Sequence, residues 1–218
     1  MAVMSIPRAD EDEPGQTLVE AAAAILTARR GDIPRDFLVE LFERAAADEL
    51  TRYSAEELAG IGEQSWSFVL QREPGAPKVA FAPSYAGRST AVLEILNDDM
   101  PFLVDSVLGE LSERAVDIRL LVHPVFTVER DRAGRLTAFK GTRKGEGRRE
   151  SFIHIQIADS GDAAERAEIV RALESVLGDV RVAVQDWRPM LARVSEVDRK
   201  STRLNSSHMV QSRMPSSA

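Results

Sequence analysis

Asn97-Asp98-Asp99-Met100-Pro101-Phe102-Leu103-Val104-Asp105-Ser106 leaves an apolar strand and enters a helix. Upstream, Thr90 to Leu96 are β-branched or aliphatic except for one acid, Glu94, and so read as a strand. Downstream, Val104, Val107, Leu108, Leu111 and Ala115 recur at three- and four-residue spacing and make one helical stripe. The acidic pair Asp98 and Asp99 is expected to cap this helix. Pro101, whose missing N–H and fixed φ suit a first helical turn, is expected just inside it.

Working outward towards the N-terminus, residues 1–16 are polar, contain Pro7, Pro14 and Gly15, and lack periodicity, so they read as a tail. Residues 17–77 form a helical segment. Leu18, Ala21, Ala22, Ile25 and Leu26 mark a first helix, and Phe37, Leu38, Leu41, Phe42 and Ala45 a second behind Pro34. Ser54 followed by Glu57 is a capping box, which predicts a third helix from Ala55 towards Gln71. Val79 and Phe81 then suggest a short strand.

Beyond the central turn, Ile118 to Val128 alternates as one strand, and Leu136 to Phe139 prolongs a hairpin. Glu150 to Ile157 is the next strand. Asp159 or Ser160 is expected to cap a helix carrying Ala163, Ala167, Val170, Leu173 and Leu177 and stopped by Gly178. Val180 to Trp187 reads as a last strand. From Thr90 the order is thus β, α, β, β, α, β, which predicts an α+β fold: an antiparallel, ferredoxin-like sheet over residues 78–190 with two helices on one face. A following helix is expected to start over 191–198. Residues 199–218 are Ser-rich and without apolar periodicity, and Ser201-Thr202-Arg203-Leu204-Asn205-Ser206-Ser207-His208 resembles translated adapter or vector sequence, so this stretch is expected to be a non-native or disordered tail.

The string Asn97-Asp98-Asp99-Met100-Pro101-Phe102-Leu103-Val104-Asp105-Ser106 resembles the first ACT-type domain near the N-terminus of the large NAD-specific glutamate dehydrogenases of bacteria. The likeness continues through His123-Pro124, Ser151-Phe152-Ile153-His154-Ile155 and Asp186-Trp187-Arg188-Pro189-Met190. It reaches back over Glu56-Glu57-Leu58-Ala59-Gly60, Trp66 and Lys78-Val79, and covers most of residues 37–198. The resemblance implies the same ferredoxin-like layer, within the front part of a much longer enzyme.

Composition narrows the function classes. A net charge of −7 argues against bulk attraction to nucleic acid or an anionic membrane surface. The absence of Cys removes disulfides, thiolate nucleophiles and Cys-rich zinc sites. With no long apolar run, neither a membrane span nor a signal peptide is expected, and cytoplasm is the default compartment. No P-loop occurs. Gly145-Glu146-Gly147 is no dinucleotide fingerprint, since it lacks the third Gly and precedes a strand.

The turn Asn97, Asp98, Asp99, Met100, Pro101 and Phe102 is the candidate effector or interface site. By resemblance, it stands where ligand-binding ACT domains grip an amino acid with backbone amides at a helix N-terminus. Those domains place Gly where Phe102 stands, and the ring is expected to fill the ligand space. Glu94, His123 and His154 are expected to share one sheet face. They are a conceivable metal donor set, but no closely spaced ligand pair accompanies them, and a half-polar face packing on a neighbouring domain is the expectation. Lys140, Arg143, Lys144, Arg148 and Arg149 form a basic cluster without aromatics, expected to be a solvated loop.

The reading that follows is a non-catalytic N-terminal regulatory or assembly region of an NAD-dependent glutamate dehydrogenase. The resemblance implies that the whole enzyme converts L-glutamate, NAD and water to 2-oxoglutarate, ammonia and NADH. NAD is then the cofactor of the full-length family, with no cofactor, metal or catalytic residue expected in this stretch. Expected partners are other domains or subunits of the same enzyme, as a homo-oligomer, and an amino-acid effector. The alternative is a free-standing ACT-like sensor that binds an amino acid.

Overall fold

The computed structural model describes residues 13–82, 90–143, 145–158 and 161–208. Four helices come first: α1 (Glu13–Arg29), α2 (Arg35–Phe42), α3 (Ala47–Leu50) and α4 (Ala55–Val69). The capping box at the start of α4 forms as its spacing requires. Ser54 Oγ accepts from the Glu57 N–H at 3.2 Å, and Glu57 Oε2 accepts from the Ser54 N–H at 2.7 Å. Helix α1 begins at Glu13, inside the stretch expected to be a tail, and the single turn α3 carries no periodic signal to announce it.

Six strands follow the α+β expectation: β1 (Lys78–Ala82), β2 (Thr90–Asp98), β3 (Ile118–Val122), β4 (Val125–Arg130), β5 (Leu136–Phe139) and β6 (Arg148–Ala158), with α5 (Leu103–Glu113) between β2 and β3. They form one open antiparallel sheet in the order β1-β2-β6-β4-β5, with β3 also on β6. The strand expected across 118–128 is broken at His123-Pro124. Its two halves pair with successive parts of β6, because Pro124 has no N–H to give the ladder and contributes only its carbonyl, which accepts from the Phe152 N–H at 3.0 Å.

The sheet is covered on both faces. Leu96, Val122, Phe126, Val128 and Phe152 join Phe37, Leu38, Leu58 and Trp66 of the N-terminal helices in one core. An aromatic group centres it: the Phe37 ring lies 4.9 Å from Trp66, 5.4 Å from Phe126 and 5.5 Å from Phe139, at tilted or edge-on angles that aromatic quadrupoles favour. On the other face, Leu93, Ile95, Ile153, Ile155 and Ile157 are buried, as are the stripes Leu103, Val107, Leu111 of α5 and Ile169, Leu173, Leu177 of α6 (Ala163–His208). Arg166 of α6 lies 5.8 Å over the Phe81 ring of β1.

The last strand expected at Val180 to Trp187 does not form. Helix α6 runs through it, through Gly178 and through residues 199–208, where a structureless tail was expected. Once nucleated, a helix extends at little cost, and one exposed Gly opposes it by only about 1 kcal/mol. The edge beside β2, where a ferredoxin-like order would seat that strand, is instead taken by β1, antiparallel with Lys78 opposite Leu96. Val180, Val182 and Val184 would share a strand face; in the helix they diverge, leaving Val182 60% exposed. Residues up to Leu177 make one compact unit, and those from Gly178 a second. The expected cap at Asp159 or Ser160 and the tails 1–12 and 209–218 lie outside the described residues. Asp162 Oδ1 instead accepts the Ala164 and Glu165 N–H groups at 2.8 and 3.0 Å.

Candidate functional site

The turn after β2 is held by arginines. Asp98 Oδ1 accepts from Arg72 Nη1 at 2.9 Å, and Asp99 Oδ2 accepts from Arg149 Nε at 3.1 Å. The Asp99 N–H also donates to the Arg149 carbonyl at 3.0 Å. Neither acid therefore caps α5, contrary to expectation, because both carboxylates face guanidiniums with stronger, charge-assisted bonds on offer. Pro101 likewise precedes the helix, which starts at Leu103. Asn97 is buried at the end of β2.

Phe102 takes the N-cap position in a left-handed conformation, with φ of 70°, and has no group to accept from the first amides of α5. The residue is 56% exposed. The expectation that Phe102 fills a pocket is thus corrected: the residue stands open to solvent. The conformation explains why a Gly would suit the position, since L-residues pay for it in steric strain. Phe102→Gly relieves about 1 kcal/mol of strain and adds a comparable or smaller loss through the freer unfolded chain. Equilibrium unfolding should place the variant within about 1 kcal/mol of wild type, whereas truncating a packed ring costs about 3–5 kcal/mol. A loss in that higher range would mean that the ring packs.

Glu94 and His154 do meet. They are opposite each other on β2 and β6, both fully buried, with His154 Nδ1 3.2 Å from Glu94 Oε1. The same carboxylate oxygen accepts from Ser65 Oγ of α4 at 2.6 Å, and Tyr53 donates to Gln156 Oε1 at 2.8 Å one step along β6. The polar face is therefore covered by this chain's own N-terminal helices, which replaces the expected neighbouring domain. His123 does not join it. Its Nε2 lies 2.7 Å from Ser151 Oγ, and Ser151 is three residues from His154, hence on the opposite face of β6.

His123 lines a pocket of about 260 Å³ with Glu40, Arg44 and Arg149. Burial holds its pKa below the ordinary 6.5, and the nearby Arg44 charge adds to the effect while Asp99 opposes it. As pH falls below 6.5 the unfolded chain takes up this proton first, so His123 lowers stability in that range and not above it. A proton-NMR titration should show the His123 ring titrating at lower pH than a free histidine. A midpoint above 6.5 would mean that Asp99 outweighs burial. Glu40 is shifted the other way, its carboxyl raised by burial although Oε2 accepts from the Thr142 N–H at 2.7 Å.

Comparison with known proteins fits this turn and sheet. The family described as glutamate dehydrogenase, ACT1 domain, matches residues 37–173. The chain belongs to that family. An NAD-specific glutamate dehydrogenase of Pseudomonas aeruginosa is 33% identical over 168 residues, 74% of this chain and 10% of the relative. One from Halomonas elongata is 34% identical over 166 residues, 72% of this chain and again 10% of the relative. One from Mycobacterium tuberculosis is 27% identical over 107 residues, 48% of this chain and 7% of the relative. The chain thus spans about a tenth of the length of the first two curated relatives it matches. No solved structure matches it.

Within this ACT1-domain chain, one buried polar assembly among the described residues was not read from the sequence. Arg72, just after α4, donates from Nη1 to Glu150 Oε1 at 2.8 Å as well as to Asp98, and Arg130 donates to Glu150 from Nε at 2.9 Å and from Nη2 at 2.8 Å. Glu150 is fully buried, and the side chains of Arg72 and Arg130 are 1% and 4% exposed. One signal was available: Glu150, Phe152, His154 and Gln156 alternate onto a single face, which puts polar residues beside a core aromatic. The basic loop is partly tied down, with Lys140 2.5 Å from Glu129; Lys144 lies outside the described residues.

Proposed function

We propose that this chain is an N-terminal regulatory or assembly region of an NAD-dependent glutamate dehydrogenase. The whole enzyme, in this reading, converts L-glutamate, NAD and water to 2-oxoglutarate, ammonia and NADH, with NAD and the catalytic residues in other parts of a cytoplasmic homo-oligomer. The observation that carries the reading is family membership through a segment that makes up about a tenth of each of two NAD-specific relatives. None of the described helices is long and apolar enough to cross a membrane.

The turn supports a contact role. Arg72 and Arg149 fix Asp98 and Asp99, so the exposed Phe102 ring projects from a braced base and can dock on another domain or subunit without first being ordered. Two measurements test the proposal. The purified chain should give no glutamate-dependent NAD reduction; turnover abolished by a point change within the chain would overturn the non-catalytic assignment. In the full-length enzyme, Phe102→Ser should alter the sedimentation profile or the glutamate saturation curve. If both stay at wild type, the turn has no part in assembly or regulation.

A further inference from the structure

A cleft of about 570 Å³ opens beside the buried arginine network, away from Phe102, and its walls include Arg72, Arg130, Arg132, Arg148 and Glu150. That volume lies in the range of small-molecule sites. Its walls carry four arginines and four acids, and most of those acids are already engaged. Glu150 and Asp98 answer Arg72 and Arg130, while two other acids of the walls are engaged from outside the cleft, Glu129 by Lys140 at 2.5 Å and Asp131 by Arg135 at 3.2 Å. Glu73 alone then remains to offset two exposed guanidiniums, Arg132 and Arg148, neither of which has an ion-pair partner among the described residues. Arg72, which also lines the cleft, has its Nη2 buried with no hydrogen-bond partner among the described residues. Such a donor costs stability unless something accepts from it.

We propose that this cleft binds a small dianion, a dicarboxylate or a phosphate-bearing metabolite, between Arg132 of the β4–β5 turn and Arg148 at the start of β6. Guanidiniums offer paired planar donors that match carboxylate and phosphate oxygens, and two of them lining one cleft suit two negative charges. On a chain of net charge −7, two guanidiniums without an ion-pair partner among the described residues also attract an anion locally. Neither the Phe102 turn nor the identity of the whole enzyme enters this argument, so the proposal stands or falls separately from the function proposed above.

Calorimetric titration of the full chain with succinate and, separately, with inorganic phosphate tests it. Binding of at least one probe is expected. The double variant Arg132→Gln/Arg148→Gln, whose positions are exposed and whose fold is checked by its unfolding midpoint, should bind at least roughly tenfold more weakly, the size expected for losing charge-assisted hydrogen bonds. Arg119→Gln, an exposed site outside the cleft, should bind as wild type does. Binding of succinate alone assigns a dicarboxylate, and binding of phosphate alone a phosphate-bearing ligand; either supports the site. Absence of binding for both probes, or equal affinity in the double variant, overturns it.

Discussion

Glu150→Gln is expected to destabilise the protein by about 3–5 kcal/mol, the usual cost of removing one partner from a buried ion pair. The substitution keeps shape and removes charge. Glu150 is fully buried, and its two oxygens accept from Arg72 Nη1, Arg130 Nε and Arg130 Nη2 at 2.8 to 2.9 Å. A Gln amide would turn an NH2 towards guanidinium donors at one of these positions and leave Arg130 without a counter-charge. Asp98, 30% exposed, still answers Arg72. The effect should reach beyond one side chain, because Arg72 leaves α4, Asp98 ends β2 and Glu150 lies on β6: the network ties the helical layer, the sheet and the turn together. Denaturant unfolding of the full chain measures the cost. Asp117→Asn, which removes an acid from the solvent-facing pair with Arg119, serves as the control and should barely move the midpoint. A similarly small shift for Glu150→Gln would show that water reaches the network and screens it.

What could be read in the sequence was whatever depends on neighbours along the chain. The Ser54 and Glu57 capping box, the Val107 and Leu111 stripe of α5, and the strand at Thr90 all rest on spacings of two to four residues, and each forms where its pattern lies. Contacts across the sheet follow another rule. Alternation within one strand says which residues share a face but not how two strands are aligned, and a slip of one residue reverses the partnership. That is why Glu94 and His154 meet while His123 does not: β3 sets Val122, not His123, opposite His154. The break at Pro124 was missed, with 118–128 read as one strand, although a residue without an N–H cannot give one to the ladder. The network of Arg72, Asp98, Arg130 and Glu150 was missed as well, since up to 78 residues separate its members and nothing local distinguishes a charge that will be buried.

Phe102 shows a different limit. Its departure from Gly in a ligand-binding pattern was plain in the sequence, and the inference that a larger residue fills more space seemed direct. The fold places it otherwise: Phe102, at φ of 70°, is left open to solvent, so the residue expected to block a site is the exposed apolar feature of the turn. Likewise Val180 to Val184 carries a strand pattern, yet α6 continues through it, because β1 already supplies the hydrogen bonds at the β2 edge that would have drawn it into the sheet.

Gly134→Ala is the second change with a large expected effect, a loss of more than about 3 kcal/mol, in the range where strain and broken packing combine. Gly134 sits at φ of +80° in the turn between β4 and β5, and a Cβ there would lie 1.9 Å from the carbonyl oxygen of Arg72 and 2.9 Å from its carbon. Those are backbone atoms, so no rotamer change relieves the clash. Moving apart is costly too. The Gly134 carbonyl accepts from the Arg72 N–H at 3.1 Å and from Arg130 Nη1 at 3.0 Å, which places the turn against the arginines that hold Glu150. Left-handed strain adds about 1 kcal/mol for any L-residue. Gly109→Ala gives the contrast within the same protein: nothing lies within 4 Å of its Cβ direction, it is in the exposed face of α5, and the change should raise stability by about 0.5–1 kcal/mol. Thermal or denaturant unfolding of the two variants should therefore move the midpoint in opposite directions. A wild-type midpoint for Gly134→Ala would mean that the β4–β5 turn can swing away from the end of α4 at little cost, and that the contact between Gly134 and Arg72 does not hold the buried arginines in place.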